Sequence, residues 1–98
     1  MEIVKTKEEG KITLKVSGRL DTTTAPELEA SLKEDIDEAK ELVFDFQDLA
    51  YISSAGLRVI LFAQKTMNKQ GSMEVINVCS DIQEIFDITG FSDILTVK

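Results

Sequence analysis

Residues 41–61, ELVFDFQDLAYISSAGLRVIL, change their hydrophobic spacing part-way along. Leu42, Val43, Phe44 and Phe46 form a short, mostly apolar run, as in a central strand covered on both faces or nearly so. From Ala55 the spacing becomes helical. Leu57, Ile60, Leu61 and Gln64 share one face, and Val59, Phe62 and Ala63 widen it, so this helix is expected to be largely buried. Lys69-Gln70-Gly71 ends it, with Gly71 suited to a left-handed C-terminal position. A buried strand leading into a buried helix is one part of a parallel α/β layout, and the flanking segments supply the rest.

Upstream, EIVKT and KITLKVSG read as a hairpin joined by KEEG. Ile12, Leu14 and Val16 alternate with Lys11, Thr13 and Lys15, the period of a strand with one buried face. The next segment turns helical: Leu28, Leu32 and Ile36 make an apolar stripe. Thr24 and Glu27 have the spacing of a capping box, and Pro26 lies in the first turn, where its missing N–H does no harm. Downstream, MEVINV reads as a strand and SDIQEIFDITGF as a helix. Ser80 and Gln83 form its expected capping box, Ile82, Ile85 and Phe86 its apolar face, and Gly90 its stop. ILTV reads as a last strand.

The predicted order is β-β-α-β-α-β-α-β, an α/β fold in a single domain over residues 1–98. Strands alternating with helices predict a mixed, mostly parallel sheet of four to five strands with three to four helices. Ligands and partners of such sheets meet the loops beyond the carboxyl ends of the strands. Two loops fall there, GRLDTTT and LAYISSAG, so Asp21 and the pair Ser53-Ser54 are expected to be neighbours in space.

Composition narrows the chemistry. The 98 residues carry a net charge of −7, which argues against nucleic acid and anionic membranes and suits a partner with a basic patch. No apolar run approaches the roughly 18 residues of a membrane span. The N-terminal residues do not read as a signal peptide, so a cytoplasmic location is expected. Cys79 is the one cysteine, so no internal disulfide can form, and it reads as a small buried hydrophobe. Histidine is absent, which removes Ser-His-Asp and Cys-His catalysis and leaves no ordinary zinc site. No cofactor or metal is expected, and the compact acidic chain is expected to be a monomer.

Ser53 and Ser54 admit more than one reading. They can simply cap the helix that follows, contributing about 1 kcal/mol. They can also carry chemistry. A helix N-terminus presents unpaired N–H groups and about half a unit of positive charge, so an anion formed on a serine oxygen there is stabilised. Gly56 would leave room for another backbone or a nucleotide. A hydrolase is set aside, because no glycine precedes the serine as in a nucleophile elbow and no histidine can act as base. A phosphoaspartate receiver is set aside too, since Glu8 and Glu9 sit in the hairpin turn. Tyr51 reads as strand-to-helix packing, and Arg58 as a surface charge or a contact to a partner or a nucleotide.

Together, GRLDTTTAPELEASL, LVFDFQDLAYISSAGLRVIL, GSMEVINV and IQEIFDITGFSDIL resemble a STAS domain of the anti-sigma factor antagonist type, from about Glu2 to Val97. The resemblance implies a protein that binds an anti-sigma factor, often a serine kinase, and so frees a sigma factor. The kinase phosphorylates a serine of the antagonist and ends the interaction, and a PP2C-type phosphatase restores it. The antagonist itself has no catalytic activity. In the family pattern the acceptor lies two residues before a glycine; here that glycine is Gly56 and the acceptor is Ser54. Many members carry Asp immediately before the acceptor, where this chain has Ser53. Asp21 matches the acidic residue that members place near the acceptor. The expected partner surface is Asp21, Thr22 and Thr23 with Ser53, Ser54, Ala55, Gly56, Leu57 and Arg58. The alternative is a STAS module that binds a partner or nucleotide as a scaffold without phosphorylation.

Overall fold

The computed structural model describes residues 1–98. β1 (Glu2–Glu8) and β2 (Lys11–Leu20) form the expected antiparallel hairpin. The chain continues through α1 (Ala25–Asp35), β3 (Glu41–Asp45), β4 (Leu49–Ile52), α2 (Ser54–Gln70), β5 (Ser72–Ile76) and α3 (Ser80–Thr89). The sheet order is β1-β2-β3-β5, with β4 pairing β2 off this path; every pairing except the first hairpin is parallel.

Register explains where the core lies. Ile12 pairs Leu42 and Leu14 pairs Phe44, which in turn pair Met73 and Val75, so one sheet face is a continuous apolar band. All six side chains are buried. α1 lays Leu28 and Leu32 against this core, and α2 adds Ile60, Ala63 and Met67. Residues Phe44 and Phe46 pack with ring centroids 5.8 Å apart. Burying each such side chain stabilises the fold by about 1.5–3 kcal/mol.

Several expectations are corrected. Leu49–Ile52, read as loop, is strand β4. It lacks alternation because Leu49 and Ile52 are buried while Ala50 and Tyr51 face outward. Its register against β2 slips by one residue between Gly18 and Arg19, so Ala50 is a bulge residue that masks the period. The final strand reduces to one bridge, Val97 to Val75, in which the Val75 N–H donates to the Thr96 carbonyl and the Lys98 N–H to the Val75 carbonyl, both at 2.9 Å. Neither predicted capping box forms. The Thr24 hydroxyl accepts from the Asp21 N–H (2.9 Å) and donates to the Arg19 carbonyl (2.8 Å), so it secures the preceding turn instead. Cys79 occupies the N-cap position of α3 without a side-chain capping bond and is exposed, not buried. Gly71 is extended, with φ −177°, rather than left-handed; Gly90, at φ 82°, is left-handed as expected.

One ion-pair group ties β1 to α1. Lys5 points onto the helix-covered face, donating to the Ser31 carbonyl at 2.7 Å and to Asp35 at 2.6 Å, while Lys7 reaches the same carboxylate at 3.1 Å. Hydrogen bonds from Lys5 and then Lys7 hold the Asp35 carboxyl below its ordinary 3.8. A carboxylate whose folded value is depressed contributes stability that is fully present above its unfolded value and is lost as pH falls through the folded one. The melting temperature is therefore expected to be flat near neutrality and to drop below about pH 4. Asp35→Asn should lower the neutral-pH melting temperature and flatten that acid limb; an acid limb identical to wild type would remove Asp35 from this role.

Candidate functional site

The site lies where β2 and β4 end side by side. Leu20 and Ile52 are their last paired residues, and both point into the core. The Ser53 N–H donates to the Leu20 carbonyl at 2.9 Å. Parallel pairing thus delivers Asp21 and Ser53 to adjacent positions, as the sequence led one to expect.

The two serines divide their roles. Ser53 is the N-cap of α2: its backbone is extended, its carbonyl accepts from the Leu57 N–H at 2.9 Å, and its hydroxyl accepts from the Gly56 N–H at 3.4 Å. Ser54 is the first helical residue and is exposed. Its hydroxyl makes no hydrogen bond within the chain and does not contribute to capping.

Asp21 is anchored by its own loop. Its Oδ1 accepts from the Thr23 N–H at 3.0 Å and the Thr24 N–H at 3.2 Å, and its carbonyl accepts from the Ala25 N–H at 2.8 Å. The Thr24 N–H is the main cause holding its carboxyl below the ordinary value; Thr23, the Thr24 hydroxyl and Arg19 add to this, and partial desolvation opposes it. Asp21 therefore stays ionised across the neutral range and fixed in the loop that follows β2.

Of the other expected partner-facing residues, Thr22, Thr23 and Arg58 are exposed and Ala55 is half-buried. Gly56 and Leu57 are both buried. A Cβ on Gly56 would stand 2.7 Å from Leu20 Cγ and 2.9 Å from Ile52 Cγ1. This glycine serves the close packing of α2 on β2 and β4 rather than leaving room for an incoming chain.

Two neighbours complete the surroundings: Arg19, which the sequence did not single out, and Tyr51, expected in strand-to-helix packing. Tyr51 is 37% exposed, and the Arg19 guanidinium lies over its ring, 4.2 Å from the centroid. Arg19 Nε also stands 3.7 Å from Asp21 Oδ2. Arg19 and Tyr51 are paired in register and share the outward face, so Tyr51 is no part of strand-to-helix packing. The signal that could have revealed them is the bulge, which period-two reading does not detect. Between the first turns of α1 and α2 lies a cleft of about 250 Å³ lined by Thr22, Pro26, Glu29, Ala55, Arg58 and Val59. No three acidic or cysteine side chains gather as a metal site would require. No helix is long and apolar enough to cross a membrane.

A family model described as STAS domain matches residues 2–98. The chain belongs to the STAS domain family. The anti-sigma-B factor antagonist of Bacillus subtilis is 31% identical to this STAS domain over 91 residues, covering 92% of the chain and 84% of that relative. Among solved structures, an anti-sigma factor antagonist from Mycobacterium paratuberculosis superposes with a TM-score of 0.88 at 22% identity, covering 98% of this chain and 83% of that one. The Bacillus cell fate determinant SpoIIAA in its phosphorylated form superposes with a TM-score of 0.79 at 14% identity, covering 99% and 91%. The architecture expected of a STAS domain is thus the one observed.

Proposed function

We propose that this STAS domain is an anti-sigma factor antagonist, a binding protein rather than an enzyme. In its unmodified state it docks on an anti-sigma factor through the surface around Asp21 and Ser54 and so releases a sigma factor in the cytoplasm. The anti-sigma factor is a serine kinase that ends the interaction by phosphorylating Ser54, and a PP2C-type phosphatase reverses the step. The reading draws on the curated relative named as an antagonist. The observation that carries it is the placing of Ser54: an exposed hydroxyl free of internal partners, in the first turn of α2, just after Ser53, whose N–H donates to the carbonyl of Leu20, the residue before Asp21.

The chemistry fits the position. Ser54 Oγ attacks the γ-phosphorus of a nucleoside triphosphate, the bond to the bridging oxygen breaks, the nucleoside diphosphate leaves, and the hydroxyl proton passes to a base on the kinase. The product carries about −1.5 to −2 charges at a helix N-terminus, where the macrodipole favours them, so the fold has no reason to rearrange. The partner meets a dianion next to Asp21 in place of a small neutral hydroxyl.

Incubating the protein with its kinase and a nucleoside triphosphate, followed by intact mass and site mapping, tests this. One added phosphoryl group on Ser54, absent from Ser54→Ala, is the expected result. Modification on Ser53 instead, or none with an active kinase that binds the protein, would refute the assignment; the second outcome would favour a scaffold that works without phosphorylation.

A further inference from the structure

Ser54 and Arg58 stand four residues apart on α2, and both are exposed. Side chains at this spacing lie one above the other on a helix surface. Arg19, the other cation nearby, is already engaged with the Tyr51 ring and the Asp21 carboxylate. Arg58 takes part in no ion pair. It lines the cleft between α1 and α2, whose one acidic lining residue is Glu29. An unpaired cation thus stands one helical turn from the residue that phosphorylation would modify.

We propose that Arg58 receives the phosphate of phospho-Ser54 in an i,i+4 clamp and thereby prolongs the phosphorylated state. The proposal rests on the reading of Ser54 as the acceptor. The guanidinium fork can donate to two phosphate oxygens at once. Dephosphorylation requires water to attack phosphorus, the P–Oγ bond to break, Oγ to take a proton and inorganic phosphate to leave. A phosphatase must first free the phosphate oxygens, so the clamp has to open before hydrolysis. Asp21 acts in the other direction by repelling the dianion, while Glu29, the acid of the cleft, is paired with Lys33 at 3.4 Å.

The test uses the full chain with phosphoserine placed at position 54 during translation, so it requires no kinase. Phosphorus NMR titration of this protein is compared with that of its Arg58→Gln and Arg58→Lys variants. Asp21, Arg19, Glu29 and the helix terminus are common to all three. The phosphate is expected to reach its dianionic form about 0.4 pH unit lower with Arg58 than with Gln, and Lys should fall between. Hydrolysis by a PP2C-type phosphatase should be about twofold faster in Arg58→Gln. Superimposable titration curves, or equal hydrolysis rates, would overturn the clamp. A kinase that never marks Ser54 would count against the proposed switch alone and would not alter the titration result.

Discussion

Ser54→Asp is expected to weaken binding to the anti-sigma factor by about 100-fold or more, while Ser54→Ala binds whether or not the kinase is active. The size follows from the charge placed at the contact. A carboxylate at position 54 adds negative charge to a docking surface that already carries Asp21, which its loop N–H groups keep ionised. A partner surface fitted to Asp21 and a neutral hydroxyl then loses charge-assisted contacts, each worth about 1.5–3 kcal/mol. Loss of fold cannot account for such an effect. Capping belongs to Ser53, so Ser54→Ala removes no helix hydrogen bond. Asp in a first helical turn is stabilising by about 0.3–1 kcal/mol, so the melting temperature of Ser54→Asp should hold or rise. Ser53→Ala is the informative contrast, because it should lose about 1 kcal/mol of stability while keeping the modifiable hydroxyl. Calorimetric titration of the partner alongside thermal melts separates the two serines. Wild-type affinity in Ser54→Asp would remove residue 54 from the docking surface.

Much of this architecture was legible in the residues. Ile12, Leu14 and Val16 alternate cleanly because only one face of β2 is covered, and Leu28 and Leu32 keep helical spacing because α1 packs by one stripe. Once the strands were read as parallel, the nearness of Asp21 to the serines followed from topology, and the Leu20–Ile52 pairing realises it. What escaped the reading has physical causes. β4 carries a bulge, so its inward residues are three apart and mimic no simple period. Two serines in succession give no hint of which one caps, since a one-residue shift in the helix start exchanges their roles. The Thr24–Glu27 spacing satisfies the capping rule, yet the hydroxyl is claimed by Arg19 at the end of β2 and Asp21 just after it, a contact set by the loop rather than by the helix. Gly56 and Gly71 looked like a docking gap and a left-handed stop. Both are sites where one backbone comes close to another element, which depends on tertiary neighbours that the local pattern does not contain.

Gly71→Ala is expected to destabilise the protein by about 3 kcal/mol and to lower its melting temperature by roughly 15 °C. A Cβ at this position would lie 2.0 Å from the Lys40 carbonyl oxygen, 2.7 Å from its carbonyl carbon and 3.0 Å from its Cα. These are backbone atoms, and they cannot move aside freely. The Lys40 carbonyl accepts from the Ser72 N–H at 2.9 Å, and the N–H groups of Lys40 and Glu41 both donate to the Gly10 carbonyl, at 2.8 and 2.9 Å. Lys40 is thus tied to the start of β5 on one side and to the hairpin turn on the other, so its retreat would disturb both. Gly56→Ala serves as the comparison. Its Cβ would meet the side chains of Leu20 and Ile52, which can shift within their wells, and a loss of about 1–2 kcal/mol is expected. Asn at position 71 distinguishes the causes, because it tolerates left-handed backbone far better than Ala but carries the same Cβ. If space is the constraint, Gly71→Asn should be as damaging as Gly71→Ala. A near-native melt for Asn with a depressed one for Ala would mean instead that the end of α2 adopts the left-handed turn its sequence suggests, and that α2 does not approach Lys40 as closely as described.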